Sequence, residues 1–340
     1  MVQVIELREL GTEWDEPWDR MVGSLSGSGF MQSSAWTRFK LDEGHEARRI
    51  GLFSGPDLFG GAVLFRYPAD RLGGLVYAPE GPVLPWHDEA AARAGLRLIR
   101  DEAKVFGEPV GAIAFRIEPR IPRSMPRVLR NWRQAPVDQI PVDTLVLDVN
   151  RPLTELSAEL HPKARYNIGL AARRGVRVRA SSNVNDLAEF YRLFEATARR
   201  KRFFCEPYGY FLNLAAALFP VGMAELLIAE FEGEAAATML LIHFGRRSTF
   251  MHGGSEPTLK RQMPSHALQW AAIQRAKMRG TVEYDLFGCD PYGCRDHPYY
   301  GFSRFKRQLG GRIESFAGAF DLVFYDQLAE RMVGELSVVG

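Results

Sequence analysis

The sequence predicts a mixed α/β protein made of two tandem halves, each with the same order of elements. Three observations predict it. Strand-like apolar runs come in threes, within residues 47–77 and again within 224–252. One long helical stretch follows each group and stops at a glycine, Gly107 in the first half and Gly280 in the second. The 340 residues are long for a single core and suit two domains of about 150.

The first half opens with a strand at Val2–Leu7 and helical stretches near Trp14–Leu25 and Ser34–Glu43. Strands follow at Ala47–Phe53, Leu58–Tyr67 and Leu72–Tyr77. The helix at Asp88–Phe106 begins with Asp88 and Glu89, whose charges suit the positive end of a helix. Ala112–Ile117 and Thr144–Val149 read as strands, and Asn150-Arg151-Pro152 as a boundary between domains 1–150 and 151–318. In the second half, Leu153–Arg174 is helical with a break at His161-Pro162, and Val176–Ala180 is a strand. Helices at Val184–Arg200 and Tyr208–Leu218 precede strands at Ala224–Glu232, Glu234–Phe244 and Arg247–His252. Glu232-Gly233-Glu234 is a hairpin signal. A helix at Pro264–Arg279, a strand at Val282–Phe287, a short helix at Tyr299–Leu309 and strands near Arg312–Phe324 close the half. The last strand and a helix at Tyr325–Val333 are expected to return to the first domain, so that 319–340 completes it.

Composition narrows the function classes. With 46% hydrophobic and 25% charged residues the chain is an ordinary globular one. No apolar run approaches the roughly 18–20 residues that span a bilayer, and the acidic, mixed start has no leader pattern. Three cysteines (Cys205, Cys289 and Cys294) give no disulfide framework and fit a reducing compartment. The expected location is therefore the cytoplasm. Of the 43 basic residues only seven are Lys. That excess of Arg fits GC-rich coding first; the sharper alternative is that some of the guanidinium forks hold phosphates.

The repeated order suits two domains of the GCN5-related acetyltransferase (GNAT) type, with no coiled-coil insertion. Such domains hold the pyrophosphate of coenzyme A on backbone N–H groups of a glycine-rich turn at the start of the central helix. Here that place reads Arg261-Gln262-Met263-Pro264-Ser265-His266-Ala267 in the second half and Trp86-His87-Asp88-Glu89 in the first. The glycines are missing and the second version is acidic. The expectation is an activated acyl donor other than coenzyme A, and no cofactor.

The densest candidate segment is Asp285–Gly311, rich in Gly, Pro and aromatics after a strand end. Lys306 within it reads either as a solvated helix residue or as a cation that stabilises a tetrahedral oxyanion. No Gly-x-Ser-x-Gly elbow and no Cys/His pair suggests a covalent intermediate. Cys289, Cys294 and His297 do not have a common zinc spacing, so no metal is expected.

An ordered set of motifs gives a sharper reading. It comprises Phe30-x-Gln32-x3-Trp36-x3-Lys40, Glu80-Gly81-Pro82-Val83 and the run Lys163–Ala172. It continues with Thr197-x2-Arg200-x2-Phe203, Tyr210-Phe211, Gly253-Gly254-Ser255, Leu268-Gln269-Trp270, Tyr284-Asp285-x2-Gly288 and Gly301-x3-Phe305-Lys306-x3-Gly310-Gly311. This set resembles the FemABX family of peptidoglycan-bridge aminoacyltransferases across about residues 30–318. The resemblance implies an enzyme that moves an amino acid from aminoacyl-tRNA to an amine on the stem peptide of a cell-wall precursor, UDP-linked or lipid-linked. It implies a catalytic pair, Lys306 and Phe305. It implies substrate-binding roles for Lys40 and Arg200, and the matched segments add Trp36, Tyr210, His252, Ser255, Gln269, Asp285 and His297. Trp36 also reads as a helix brace, and Asp285 equally as a cap for the following turn. The tRNA-binding set is Lys163, Arg165 and Arg202, beside the basic run 199–202.

There are departures. His252 stands where the family often has Tyr, and either donates a hydrogen bond or fills the wall. Arg202 stands where it often has Gly. The polar termini argue against a membrane span and leave room for contact with the inner face of the cytoplasmic membrane. Two other readings are a tRNA-dependent enzyme acting on a natural-product amine and a non-catalytic binder of the same fold.

Overall fold

The computed structural model describes residues 5–68, 73–124 and 127–324, which form two compact units. One takes the described residues up to 142 together with those from 315; the other is residues 143–314.

In chain order the first unit contains β1 (Ile5–Glu9), α1 (Asp15–Ser24), α2 (Ser34–Asp42), β2 (Glu46–Ser54), β3 (Asp57–Tyr67), β4 (Gly74–Pro79), α3 (Glu89–Gly107), β5 (Ala112–Glu118) and β6 (Arg133–Gln134). The second contains β7 (Asp143–Asp148), α4 (Leu153–Glu159), α5 (Pro162–Arg173), β8 (Arg177–Ser181), α6 (Leu187–Lys201), α7 (Tyr208–Leu218), β9 (Ala224–Phe231), β10 (Glu234–Phe244), β11 (Arg247–Ser255), α8 (Pro264–Met278), β12 (Glu283–Asp285), α9 (Tyr300–Lys306) and β13 (Arg312–Ser315). β14 (Phe320–Val323) then returns to the first unit. Residues 325–333, expected to be helical, lie outside the described residues.

Each unit is built on a seven-stranded sheet, in the orders β1-β2-β3-β4-β5-β14-β6 and β13-β7-β12-β11-β10-β9-β8. The two match strand for strand. Four antiparallel strands lead to one parallel pair, β4–β5 or β11–β12, whose crossover is α3 or α8. An antiparallel strand follows, β14 or β7. The chain boundary falls at 142/143 and not at 150, because β7 pairs with β12 inside the second sheet.

Local sequence explains several of these elements. Asp88 caps α3 by accepting from the N–H groups of Ala90 and Ala91, both at 3.0 Å. Pro162 and Pro264 occupy the first turns of α5 and α8, where a missing N–H costs nothing. Helix α8 buries Leu268, Gln269, Ala272, Ile273 and Ala276, a three-to-four spacing that lays one face on β9 and β10. In the β9–β10 hairpin, Glu232 and Gly233 both have positive φ, as a two-residue turn of this hand requires. Among the described residues no helix is long and apolar enough to cross a membrane.

Candidate active site

The second unit encloses a cavity of about 500 Å³. Its walls come from the end of α6 (Thr197, Arg200, Lys201), from β10 and β11 (Thr238, Met239, Phe250, Gly253, Gly254, Ser255), from the first turns of α8 (Met263–His266, Leu268, Gln269) and from α9 (Gly301, Phe302, Phe305, Lys306). Two features of β11 shape it. The register with β10 slips between Phe250 and His252, leaving Met251 as a bulge. Gly254 then lets α6 lie directly on the strand, since a Cβ there would stand 2.3 Å from the Leu193 carbonyl oxygen.

Lys306 ends α9 and is only 8% exposed. Its Nζ donates to the Phe287 carbonyl and, at 2.7 Å, to the Gly288 carbonyl. Those carbonyls are aimed by a tight turn in which Phe287 and Gly288 both have positive φ. Asp285, fully buried, fixes that turn. It accepts from the Phe287 N–H at 2.8 Å, from the Thr144 hydroxyl, and from Arg247 Nη1 at 3.3 Å. The open choice for Asp285 is thus resolved by geometry: it caps the turn beneath Lys306 and is not in the cavity wall. Burial pulls the Lys306 ammonium down to about 8, opposed by Asp285 and Cys289. Two of its three N–H groups are held by carbonyls, which leaves one for the cavity that it lines.

The other predicted residues divide into those the fold brings to the cavity and those it does not. Phe305 lines it, with its ring edge-on to His266 at 5.0 Å. Gln269 lines it too; its amide oxygen accepts from the Tyr284 hydroxyl at 2.7 Å, which leaves the NH2 free to serve the cavity. Arg200 donates to the Ser255 carbonyl at 3.2 Å and to the Thr197 hydroxyl at 3.1 Å, and all three residues are in the wall. His252 sits behind the wall with its ring on Phe194 and Phe211, and burial pulls it down to about 4. Its Nε2 is buried without a hydrogen-bond partner. It is therefore a neutral filler and not a cation.

Tyr210 packs on Phe211, and His297 packs on Tyr299 while accepting from that residue's N–H at 3.1 Å; neither lines the cavity. Of the tRNA-binding set, Arg165 is spent on the carbonyls of Ser157 and Ala158, at 3.1 and 2.9 Å, where it caps the end of α4. Lys163 and Arg202 are exposed. Arg202 has φ +58°, which explains why Gly suits this helix end. In the first unit Trp36 is buried edge-on against Phe30 and Phe39, at 5.1 and 5.0 Å, as a brace. Lys40 lies over the Phe39 ring in the last turn of α2.

His266 and Met263 also line the cavity, and no sequence motif marks them as site residues; Thr197 and Lys201 join them from a matched motif and from the basic run. His266 accepts at Nε2 from the Asn167 amide, 3.2 Å away, with the amide oriented as a donor. The signal for Thr197 lay in its place three residues before Arg200. Pro264 also bears on the donor. It removes a backbone N–H from the first turn of α8, which lines the cavity and where a pyrophosphate would need donors.

Comparison with known proteins matches this architecture. Residues 15–125 match the FemAB family model, and residues 162–307 match an acetyltransferase (GNAT) domain. A solved structure described as FemX superposes with a TM-score of 0.86 over 96% of this chain and 99% of that one, at 20% identity. The chain is thus similar to the FemAB family in its first unit and to GNAT domains in its second. Curated relatives in Staphylococcus saprophyticus and Staphylococcus epidermidis, each named lipid II:glycine glycyltransferase, are 22% and 23% identical over 91% of both chains. Those alignments run over 384 and 385 positions, so these relatives carry segments that this chain of 340 lacks. A tandem GNAT protein from the clavulanic acid pathway shares the fold at a TM-score of 0.55 and 12% identity.

Proposed function

We propose that this protein transfers an amino acid from aminoacyl-tRNA to an amine on the stem peptide of a peptidoglycan precursor. The observation that carries the reading is Lys306: a buried cation, held by two carbonyls, facing a cavity whose helix end lacks a pyrophosphate cradle. Attack of the amine on the ester carbonyl puts negative charge on its oxygen. A fixed ammonium N–H on a buried side chain stabilises that charge more than it stabilises the neutral ester. The C–N bond forms, the C–O bond breaks, and the proton lost by the amine balances the one gained by the ribose oxygen. No covalent enzyme intermediate is needed.

The names of the curated relatives support a precursor acceptor, and the cationic rim of Arg200, Lys201 and Lys260 supports an anionic donor. Lys40 in the first unit is assigned to the acceptor, and Lys163 and Arg202 to the RNA. The test is transfer of labelled amino acids from a charged total-tRNA pool to UDP-linked and lipid-linked muropeptides, with and without ribonuclease. Label on a muropeptide that ribonuclease abolishes is expected. Folded protein that labels neither acceptor would refute the proposal.

A further inference from the structure

Two phenylalanines at or next to the wall of the Lys306 cavity keep much of their surface in water. Phe302 lines the cavity and remains 37% exposed. Phe203 is wedged between it and Phe194, with ring centroids at 6.2 and 5.8 Å. The next residue, Phe204, is 78% exposed, which only Tyr292 exceeds among the large apolar residues described. Arg202, in its left-handed conformation, ends α6 just before this pair; Phe203 then packs inward while Phe204 is left in water.

Charge surrounds the same rim. Arg200, Lys201 and Lys260 line the cavity, and Arg199 and Arg202 flank them in sequence. Arg199 is paired with Glu195 at 3.3 Å. The Arg200 guanidinium donates to a carbonyl and a hydroxyl, neither of which cancels its charge. Lys201, Arg202 and Lys260 make no ion pair among the described residues. Exposed π-faces interleaved with unpaired cations are what a single nucleic-acid strand needs: stacking for its bases and counter-charge for its phosphates. An apolar protein partner would find the cations costly to bury.

Resting on the proposed tRNA donor, we propose that Phe204 and Phe302 form a stacking platform for the unpaired 3′-terminal nucleotides of the donor RNA. The terminal ribose carries the ester and must enter the cavity to reach Lys306. The nucleotides behind it then lie across the rim, with their phosphates near Arg200, Lys201 and Lys260. Stacking on an aromatic face does not depend on which base is present, so the platform serves any charged tRNA. In this arrangement the RNA is gripped by the globular unit itself.

The test compares wild type with Phe204→Ala, Phe204→Tyr and Phe302→Ala. Phe204 is exposed, so its variants are expected to fold, and melting curves check this. Two quantities are read: KM and kcat with aminoacyl-tRNA, and binding of a labelled single-stranded RNA ending in CCA. Each alanine variant should raise KM for the RNA and weaken oligonucleotide binding by roughly five- to 100-fold. The effect should fall on KM and not on kcat, and KM for the muropeptide should stay put. Phe204→Tyr should restore binding. Ribonuclease-sensitive transfer with an unchanged KM in both alanine variants would overturn the platform while leaving the donor assignment intact. Loss of binding to phosphatidylglycerol vesicles in Phe204→Ala, with the RNA KM unchanged, would make the rim a lipid contact and equally overturn it. Absence of ribonuclease-sensitive transfer in wild type would remove the donor assignment and this inference together.

Discussion

Replacing Lys306 by Met removes the cation and keeps most of the side-chain volume. Two stability effects oppose each other. Burial lowers the ammonium from its ordinary 10.5 to about 8, so holding it charged costs roughly 3 kcal/mol at pH 7, at about 1.4 kcal/mol per unit. The variant regains that but leaves the Phe287 and Gly288 carbonyls without their donor, at about 1–3 kcal/mol each. The two partly cancel, so stability should change by no more than about 3 kcal/mol. The sign with pH is fixed by the lowered value. Between about 8 and 10.5 the unfolded chain holds this proton more tightly than the fold does. The cost of the cation is therefore full below about 8 and gone by 10.5, and the stability of Lys306→Met relative to wild type should fall over that window.

Turnover has no such compensation. Losing one preorganised oxyanion partner is worth about 100- to 1000-fold in kcat. Single-turnover transfer to a muropeptide measures it, with denaturant unfolding as the control. The ratio of wild-type to variant rate should itself fall by roughly tenfold per pH unit above 8, as wild type loses its proton. The acceptor amine titrates in both proteins and cancels from the ratio. A folded variant within threefold of wild type, or a ratio flat from pH 7 to 9.5, would refute the role of Lys306.

Other outcomes follow from the same geometry. Asp285→Ala should lose about 3 kcal/mol in denaturant unfolding, because it leaves buried donors from Thr144, Phe287 and Arg247 unmatched, and should also depress kcat by freeing the turn under Lys306. Gly301→Leu should melt like wild type, since a Cβ there meets nothing within 4 Å, yet obstruct the cavity and raise KM for the donor. Glu118, hydrogen-bonded to the Tyr77 hydroxyl and to the Ile140 N–H at 2.9 Å, is pushed by burial up to about 7. A raised carboxyl weakens the fold above its unfolded value of 4.5, so Glu118→Gln should stabilise at pH 8, by up to about 3 kcal/mol, and change little near pH 4. Melting at both values checks it.

Much of this fold is legible in the sequence because its signals are local. The hairpin at Glu232-Gly233, the break at His161-Pro162 and the helix that starts at Pro264 each depend on a few neighbouring residues. The boundary was harder. Residues 143–148 read as the end of the first half, and only long-range pairing with β12 places them in the second sheet. The strand expected at Val282–Phe287 stops at Asp285, because Phe287 turns left-handed to meet Lys306. Within the site, Lys306, Phe305, Arg200, Ser255 and Gln269 share one cavity, as an ordered motif set allows one to expect. Arg165 did not yield to the same reading: a basic residue among basic residues looks like a phosphate contact, and what it touches is the end of the preceding helix. His266 was invisible for the opposite reason, since a single histidine on a helix gives no pattern.

The most direct test of the central claim is tandem mass spectrometry of the muropeptide after incubation with the wild-type protein and a charged tRNA pool. The expected product is heavier by one aminoacyl residue, attached through an amide to the stem-peptide amine, and is absent with Lys306→Met. An unmodified muropeptide in the presence of folded protein and intact aminoacyl-tRNA would contradict it.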